Sequence, residues 1–298
     1  MKKVWFITGS SKGLGKNLVK AVLLKGDYVV ATARNPQQLK ELTEQYPEQL
    51  LPLELDVQNK EQIYATVEEA VSHFGKIDVL VNNAGFGITG AAEAFTNEQV
   101  RNQLEVNLYA PIEVTRAVLP YMRKQRAGNI LQISSIGGRV GNAGLSIYQA
   151  AKFGLVGFSE SLSKEVAPLG IKVTCIQPGG FRTEWAGPSM SFAKDIEGYE
   201  ATVGGVKQHL TSGKFLPMGD PAKAAKVMID VVENENPPLH LVLGSEAAAI
   251  LRATDEKRKE EFEKWMSVTI STDSDDAVNI FDTEYGKQYL AHKGISLE

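Results

Sequence analysis

Short apolar runs of strand length alternate with longer amphipathic segments along most of this chain. The runs are nearly continuous, as in Ile130-Leu131-Gln132-Ile133, which is typical of strands covered on both faces. Strands are predicted at Val4–Thr8, Tyr28–Ala33, Leu51–Leu55, Val79–Asn82, Asn129–Ser134, Val173–Gln177 and Leu239–Leu243. Helices are predicted at Leu14–Lys25, Pro36–Tyr46, Lys60–Phe74, Glu98–Arg126, Ile147–Ala167 and Pro221–Asn234. This order predicts a doubly wound α/β fold, a parallel sheet of about seven strands with right-handed crossovers and helices on both faces.

Two regions fall outside this alternation. The irregular stretch 184–218 is predicted to be a substrate lid within a domain of residues 1–250. Residues 251–298 are predicted to form a short helical tail, in which the highly charged Asp255–Trp265 reads as a solvated helix and Ser271–Asp276 as a break. The chain has no Pro/Gly/Ser-rich linker and no internal repeat, which favours one main domain.

Charge and composition exclude several classes of function. The net charge of −4 disfavours nucleic-acid binding, which needs a concentrated basic face. No apolar run reaches the ~18 residues of a membrane span, and the first apolar run reads as a strand rather than a signal peptide. The single cysteine, Cys175, excludes an internal disulfide and favours a reducing compartment such as the cytoplasm. The four histidines have no ligand spacing, so no metal site is predicted.

The first predicted strand runs into a glycine-rich turn, Thr8-Gly9-Ser10-Ser11-Lys12-Gly13-Leu14-Gly15, which a helix follows. Glycines let the backbone approach a diphosphate, and the free N–H groups of the helix end favour an anion. The turn therefore predicts a Rossmann-type dinucleotide site, against the alternative of a tight turn without a ligand. Its predicted cofactor-binding residues are Gly9, Ser11, Lys12, Gly13, Leu14 and Gly15.

The end of the second strand indicates which dinucleotide binds. NAD-selective sites place a carboxylate there, but this strand ends at Ala33-Arg34-Asn35, and Asp27 stands before it. Arg34 lies 19 residues after Gly15, and Lys12 stands within the loop. Two cations suit a 2′-phosphate. NADPH is therefore favoured over NAD, the alternative being two ordinary surface cations.

Tyr148 and Lys152 are spaced at i and i+4, so a helix places both on one face. A nearby ammonium is expected to lower the pKa of a tyrosine towards the range useful for acid/base catalysis. Alone, this spacing is often a chance match. However, Ser135 follows a predicted strand and precedes Tyr148 by 13 residues. The adjacent Ser134 is the alternative to Ser135.

These motifs together resemble the short-chain dehydrogenase/reductase family, over roughly residues 3–245. The segment Ala31-Thr32-Ala33-Arg34 and the length of the predicted lid resemble the branch with 17β-hydroxysteroid and retinol dehydrogenase-like members. The resemblance to the family implies hydride transfer between a nicotinamide and a carbonyl or alcohol. Ser135 would polarise the substrate oxygen, Tyr148 would be the acid/base, Lys152 would hold the nicotinamide ribose, and Asn107 would position Lys152 through water.

The resemblance also implies further cofactor-binding residues. Asp56 and Val57, after the third strand, would meet the adenine, although Asp56 could instead cap the next helix. The segment Asn82–Gly85 matches the family's Asn-Asn-Ala-Gly motif. The segment after the sixth strand would meet the carboxamide, the alternative being a plain turn. The residues assigned on this basis are Asn83, Ala84, Gly85, Asn107, Tyr148, Lys152, Pro178, Gly179 and Thr183.

The resemblance to the 17β-hydroxysteroid and retinol dehydrogenase-like branch implies a small-molecule substrate that is a bulky hydrophobic ketone, aldehyde or alcohol. Candidate lining residues at the carboxyl ends of the strands are Phe86, Ile88, Leu145, Trp185, Met190, Phe192 and Tyr199. Two alternatives remain, a non-catalytic NADP(H)-binding sensor or scaffold on the same fold, and an epimerase or dehydratase. The small residues Ala150, Ala151, Gly154 and Gly157 would let helices pair closely in a homodimer or homotetramer.

Overall fold

A computed structural model of the chain describes residues 2–184, 190–212 and 216–294. Its strands are β1 (Val4–Ile7), β2 (Tyr28–Ala33), β3 (Leu50–Glu54), β4 (Val79–Asn82), β5 (Gly87–Thr89), β6 (Gly128–Ile133), β7 (Ile171–Pro178), β8 (Met190–Phe192) and β9 (His240–Leu243). Its α-helices are α1 (Gly13–Lys25), α2 (Lys40–Gln45), α3 (Lys60–Phe74), α4 (Asn97–Leu104), α5 (Ala110–Gln125), α6 (Ser146–Val166), α7 (Gly205–Thr211), α8 (Pro221–Glu233), α9 (Ser245–Ile270) and α10 (Glu284–Lys293).

The main sheet has seven parallel strands in the order β3-β2-β1-β4-β6-β7-β9. This confirms the predicted doubly wound fold and its seven strands. The order reverses direction at β1 and β4, where doubly wound sheets bind ligands beyond the carboxyl ends of the strands.

Each central strand divides its side chains between two cores. Trp5 and Ile7 of β1 pack with α1 and α8 on one face. Val4 and Phe6 pack with α3, α5 and α6 on the other face. Successive strand residues point to opposite faces, so a strand between two helical layers must be apolar throughout. This is the physical reason for the continuous apolar runs in the sequence.

The predicted helix Glu98–Arg126 is interrupted in the structure. A π-helical turn, Glu105–Tyr109, separates α4 from α5. π-turns are rare and are frequent at functional sites, because the extra residue turns one side chain out of the regular helical register. Here the turn contains Asn107. The predicted single helix is therefore corrected to two helices joined at this turn.

A second, two-stranded parallel sheet pairs β5 with β8 and was not predicted. It connects the end of β4 to the segment that follows the main sheet's β7. Trp185, predicted to line the substrate pocket, lies outside the described residues. On α6, the predicted small-residue surface is corrected in part, because Ala151 is fully buried whereas Ala150 and Gly157 are exposed. An added Cβ at Gly154 would meet Leu108.

The chain divides into two compact units, Met1–Leu251 and Arg252–Glu298. The first contains the main sheet. The second contains the remainder of α9, which extends well beyond the predicted Asp255–Trp265, and α10. Within the described ranges, no helix is long and apolar enough to cross a membrane. Those same ranges hold no group of three or more His, Cys, Asp or Glu side chains that could bind a metal ion.

Candidate active site

The glycine-rich loop is held against the end of β4. Gly9 has a φ of 66°, and a Cβ added to it would lie 2.8 Å from the Ala84 Cα. Only glycine meets both conditions without strain. The Asn83 side chain donates to the carbonyl oxygens of Thr8 and Gly9, at 2.9 and 3.0 Å. Asn83 thus shapes the loop through its side chain. Gly15 lies beneath the loop, with no room for a Cβ beside the Asn83 amide.

The other end of the candidate dinucleotide site contains cations and no strand-end carboxylate. Lys12 and Arg34 line the same cavity as the glycine loop. Asp27 lies at the opposite end of β2, where it accepts from the Lys3 N–H at 3.0 Å and the Trp5 Nε1–H at 3.2 Å. Burial alone would raise the pKa of Asp27, but these hydrogen bonds outweigh burial and lower it. Asp27 therefore has a structural role.

Asp56 lines the cavity after β3. Its Oδ1 accepts from the Gln58 N–H at 3.0 Å, and its own N–H donates to the Gln62 Oε1 at 2.8 Å. The N-cap of α3 is Asn59, whose side chain accepts from the Gln62 N–H. The alternative reading of Asp56 as the helix cap is therefore wrong.

Ser135 and Tyr148 come together at the carboxyl edge of the sheet. Their hydroxyl groups are hydrogen bonded to each other. The Ser135 Oγ also accepts from the Gly137 N–H at 3.0 Å, which fixes its position after β6. Ser134 points elsewhere and is buried, because its Oγ donates to the Lys152 carbonyl oxygen at 3.1 Å. The geometry thus pairs Tyr148 with Ser135.

Lys152 lies one helical turn after Tyr148, with its ammonium buried. The Nζ donates to the Ile133 carbonyl oxygen at 2.8 Å and lies 5.8 Å from the centre of the Tyr148 ring. Burial lowers the pKa of Lys152 to about 8. The same burial raises the pKa of Tyr148 to about 12, against the smaller lowering effect of the Ser135 hydrogen bond. The pKa of Tyr148 is thus raised, where a lowering by Lys152 was predicted, because desolvation of the phenolate outweighs the Ser135 hydrogen bond.

Asn107 is fully buried on the π-turn. Its Nδ2 donates to the carbonyl oxygens of Phe86 and Gln103, each at 3.0 Å. Its Oδ1 is buried without a hydrogen-bond partner in the described part of the chain. A Cβ added to Gly85 would lie 2.7 Å from this Oδ1 and 3.7 Å from the Lys152 Nζ. The two groups therefore face one small space that could hold a bridging water.

One cavity of about 910 Å³ joins these parts. The predicted site residues that line it are Gly9, Ser11, Lys12, Gly13, Leu14, Arg34, Asp56, Val57, Asn83, Ala84, Gly85, Asn107, Ser135, Tyr148, Lys152, Pro178, Gly179 and Thr183. Gly15, which was also predicted as a cofactor-binding residue, does not line the cavity. Sequence reasoning missed several lining residues, among them Gln149 and Glu184. Gln149 holds the loop before α6 through bonds to the Val140 carbonyl and the Asn142 N–H. Gln149 follows Tyr148 and Glu184 follows Thr183, so their position next to predicted site residues is the sequence signal that could have identified them.

The cavity is lined in part by apolar side chains. Phe86, Leu145 and Met190 line it, as predicted. The other candidates do not: Ile88 is buried in a small cluster under β5, and the Phe192 ring packs against the Lys207 ammonium. The Tyr199 hydroxyl donates to a Glu93 carboxylate oxygen at 2.8 Å. These side chains fasten the predicted lid region instead of forming the pocket wall.

This arrangement can be compared with known proteins. It consists of the glycine loop and the side chains of Asn107, Ser135, Tyr148 and Lys152. A family model described as short chain dehydrogenase matches residues 3–193. The chain belongs to the short-chain dehydrogenase/reductase family. It is 43% identical to Oxidoreductase BOA17 of Botryotinia fuckeliana over 268 residues, which cover 87% of this chain and 98% of that protein. The chain is an oxidoreductase of this family.

A second relative carries a more specific name. The chain is 41% identical over 181 residues to a 3-ketodihydrosphingosine reductase of Bacteroides thetaiotaomicron, covering 61% of this chain and 65% of that one. Among solved structures, a short-chain dehydrogenase from Streptomyces avermitilis has a TM-score of 0.87 and 37% identity. That match covers 92% of this chain and 100% of the other.

Two less similar structures of this fold contain different dinucleotides. A short chain dehydrogenase from Burkholderia cenocepacia is in complex with NADP, with a TM-score of 0.70 and 23% identity over 88% of this chain and 97% of that one. A family member from Burkholderia phymatum is in complex with NAD, with a TM-score of 0.75 and 20% identity over 87% and 95%. At these identities the likeness extends to the fold alone. The choice of cofactor must be argued from this chain's residues.

Proposed function

We propose that the protein is an NADP(H)-dependent oxidoreductase that reduces a ketone or aldehyde to an alcohol, or catalyses the reverse reaction. The hydrogen-bonded hydroxyls of Ser135 and Tyr148 carry this proposal. They lie in the same cavity as the glycine loop and the buried Lys152. The glycines that admit no Cβ, and the unpartnered Asn107 Oδ1 beside Lys152, fit a bound dinucleotide with an ordered water.

Two hydroxyls at one point suit a carbonyl oxygen. Ser135 donates a hydrogen bond to that oxygen and stabilises the negative charge that develops on it. Tyr148 holds its proton across the working pH range, since burial raises its pKa to about 12. It is therefore ready to act as the acid when the carbonyl is reduced. The bound nicotinamide supplies or accepts the hydride.

Lys152 and Asn107 complete the proton path. Lys152 would hold the nicotinamide ribose of a bound cofactor, and its pKa of about 8 lets it exchange a proton near neutral pH. The proton that Tyr148 gives to the substrate is replaced through Lys152 and a water between the Lys152 Nζ and the Asn107 Oδ1. The π-turn has the role of aiming Asn107 into this space.

The preference for NADP(H) rests on Lys12 and Arg34. Both line the dinucleotide cavity, where the 2′-phosphate would make charge-assisted hydrogen bonds with them. Asp27, the acidic residue next to β2, is engaged at the far end of that strand. A carboxylate that would bind a free ribose hydroxyl of NAD is therefore missing from the described end of this strand.

The substrate is proposed to be hydrophobic, because Phe86, Leu145 and Met190 line its end of the cavity. The name of the Bacteroides relative, a reductase of a ketone, agrees with carbonyl reduction. We also propose a homodimer or homotetramer in the cytoplasm. The exposed Tyr109 and Phe153 beside the catalytic helix favour pairing of this surface, and the lone buried Cys175 suits a reducing compartment.

Steady-state kinetics with NADPH, NADH and a panel of aromatic, steroidal and aliphatic carbonyls tests the proposal. We expect NADPH to be preferred, and Tyr148→Phe to lower kcat at least a hundredfold while NADPH binding persists. Arg34→Ala should weaken NADPH binding about tenfold or more and leave NADH nearly unaffected. Preference for NADH would contradict the assignment of Lys12 and Arg34. Binding of NADPH without turnover of any carbonyl would favour a non-catalytic sensor.

A further inference from the structure

The N-terminal turn of α1, which forms part of the candidate dinucleotide site, contains no acidic side chain. Lys12 is the N-cap residue of α1 and makes no side-chain capping bond, and the first turn, which starts at Gly13, contains no Asp or Glu. The helical hydrogen bonds of α1 begin with the Lys16 N–H, which donates to the Lys12 carbonyl oxygen at 3.1 Å. The earlier N–H groups need other partners, and the helix dipole favours a negative one.

In the structure that partner is a carboxylate from a distant part of the chain. The Glu184 Oε2 accepts from the Gly13 N–H at 3.1 Å, across 171 residues of sequence. The neighbouring Thr183 lies against the same glycine, since a Cβ added to Gly13 would be 3.5 Å from the Thr183 Cβ. Glu184 also lines the dinucleotide cavity. Its carboxylate thus occupies the N–H group to which a cofactor diphosphate is proposed to bind.

We propose that Glu184 is an internal competitor for the diphosphate site. Its carboxylate satisfies the Gly13 N–H in the protein without dinucleotide, and it leaves when the diphosphate binds. The inference rests on the proposed NADP(H) function and adds a residue that tunes cofactor affinity. A carboxylate and a diphosphate that compete for one N–H group also repel each other, because both are negatively charged.

The expected consequence is faster exchange of cofactor. The free energy needed to displace Glu184 is subtracted from the binding free energy of the dinucleotide, so the complex forms less tightly than the loop alone would allow. Release of the used cofactor limits turnover in many enzymes. A carboxylate that re-forms its bond to Gly13 as the diphosphate departs favours this release.

The test is a binding titration of the full chain with NADPH and with adenosine 2′-monophosphate, which has no diphosphate. Glu184→Gln removes the charge at an exposed position, so folding should be unaffected. We expect this variant to bind NADPH about three- to tenfold more tightly, the size of one charge-assisted hydrogen bond at a solvated site. Adenosine 2′-monophosphate should bind with unchanged affinity. Glu235→Gln, which removes a charge from an exposed residue elsewhere, is the matched control.

The possible results separate the two proposals. Unchanged or weaker NADPH binding by Glu184→Gln, with normal binding by the unmodified protein, would overturn the role of Glu184 and leave the proposed function standing. An equal gain for adenosine 2′-monophosphate, or for Glu235→Gln, would also overturn it, since the effect would then be one of overall charge. Failure of the unmodified protein to bind NADPH would refute the proposed function, and this inference with it.

Discussion

At the scale of residues, one physical cause acts in opposite directions on the two central side chains. Burial penalises the charged form of each group, so it raises the pKa of Tyr148 and lowers that of Lys152. Both groups are thereby held closer to neutrality than in water. A buried lysine of this kind lowers the free energy of unfolding, a loss that proteins accept at functional sites.

Replacing Lys152 should therefore stabilise the protein at neutral pH. Its pKa falls from 10.5 to about 8, so the unfolded chain binds more protons between these values, and the free energy of unfolding rises with pH in that window. The penalty is fully present below pH 8. Lys152→Met should thus be more stable at pH 7 by roughly 2–3 kcal/mol, less the lost bond to the Ile133 carbonyl.

Denaturant unfolding between pH 7 and pH 10 measures this effect. The advantage of Lys152→Met should shrink as the pH rises through 8 towards 10. Lys164→Met, at an exposed position on the same helix, should show no such trend. An advantage that does not change with pH would mean that Lys152 is not held as a desolvated ammonium.

At the scale of elements, the small sheet formed by β5 and β8 fixes the predicted lid region to the catalytic domain. The close approach depends on Gly90, where an added Cβ would lie 2.5 Å from the Ala193 Cβ and 3.3 Å from the Phe95 ring. The Gly90 N–H also donates to the Gly144 carbonyl oxygen at 2.9 Å. A larger side chain here must separate the two strands.

Gly90→Val should therefore raise the KM for the carbonyl substrate severalfold, because Met190 of β8 lines the substrate end of the cavity. The dissociation constant for NADPH should hardly change. Gly141→Ala, at a position where an added Cβ meets nothing within 4 Å, serves as the control. A change in NADPH affinity equal to the change in KM would show that the small sheet supports the whole site.

The same elements explain which parts could be predicted from sequence. The seven strands of the main sheet are close to their predicted limits, because burial on both faces demands continuous apolar runs. The strands β5 and β8 have three residues each and depend on pairing with each other, so they leave no periodic pattern. The π-turn at Asn107 differs from an α-helix by one residue in register, which no periodicity of that length reveals.

The site divides in the same way. The glycine loop and the spacing of Ser135, Tyr148 and Lys152 are local patterns with a chemical meaning, so they could be read directly. Glu184 reaches Gly13 across 171 residues, and that contact exists only in the folded chain. The direction of the Tyr148 pKa shift also needed the structure, because it depends on how completely the folded chain buries the Tyr148 hydroxyl.

At the scale of the whole molecule, the first compact unit, Met1–Leu251, contains every predicted site residue. The second unit, Arg252–Glu298, contributes no lining residue to the described cavity. We therefore expect a chain ending at Leu251 to fold and to bind NADPH within about threefold of the full chain. Circular dichroism and the NADPH titration check this, and a folded truncated chain that has lost NADPH binding would assign the second unit a part in the site.

In the proposed reaction, hydride passes between the nicotinamide and a carbonyl carbon held by Ser135 and Tyr148. NADPH deuterated at the nicotinamide C4, in each of its two configurations, tests this most directly with a ketone that the enzyme turns over. We expect one configuration to deliver a single deuterium to the carbinol carbon, detected by mass spectrometry, and Tyr148→Phe to form almost no labelled alcohol. An alcohol without deuterium from either form, or equal labelling by Tyr148→Phe, would contradict the proposed reaction.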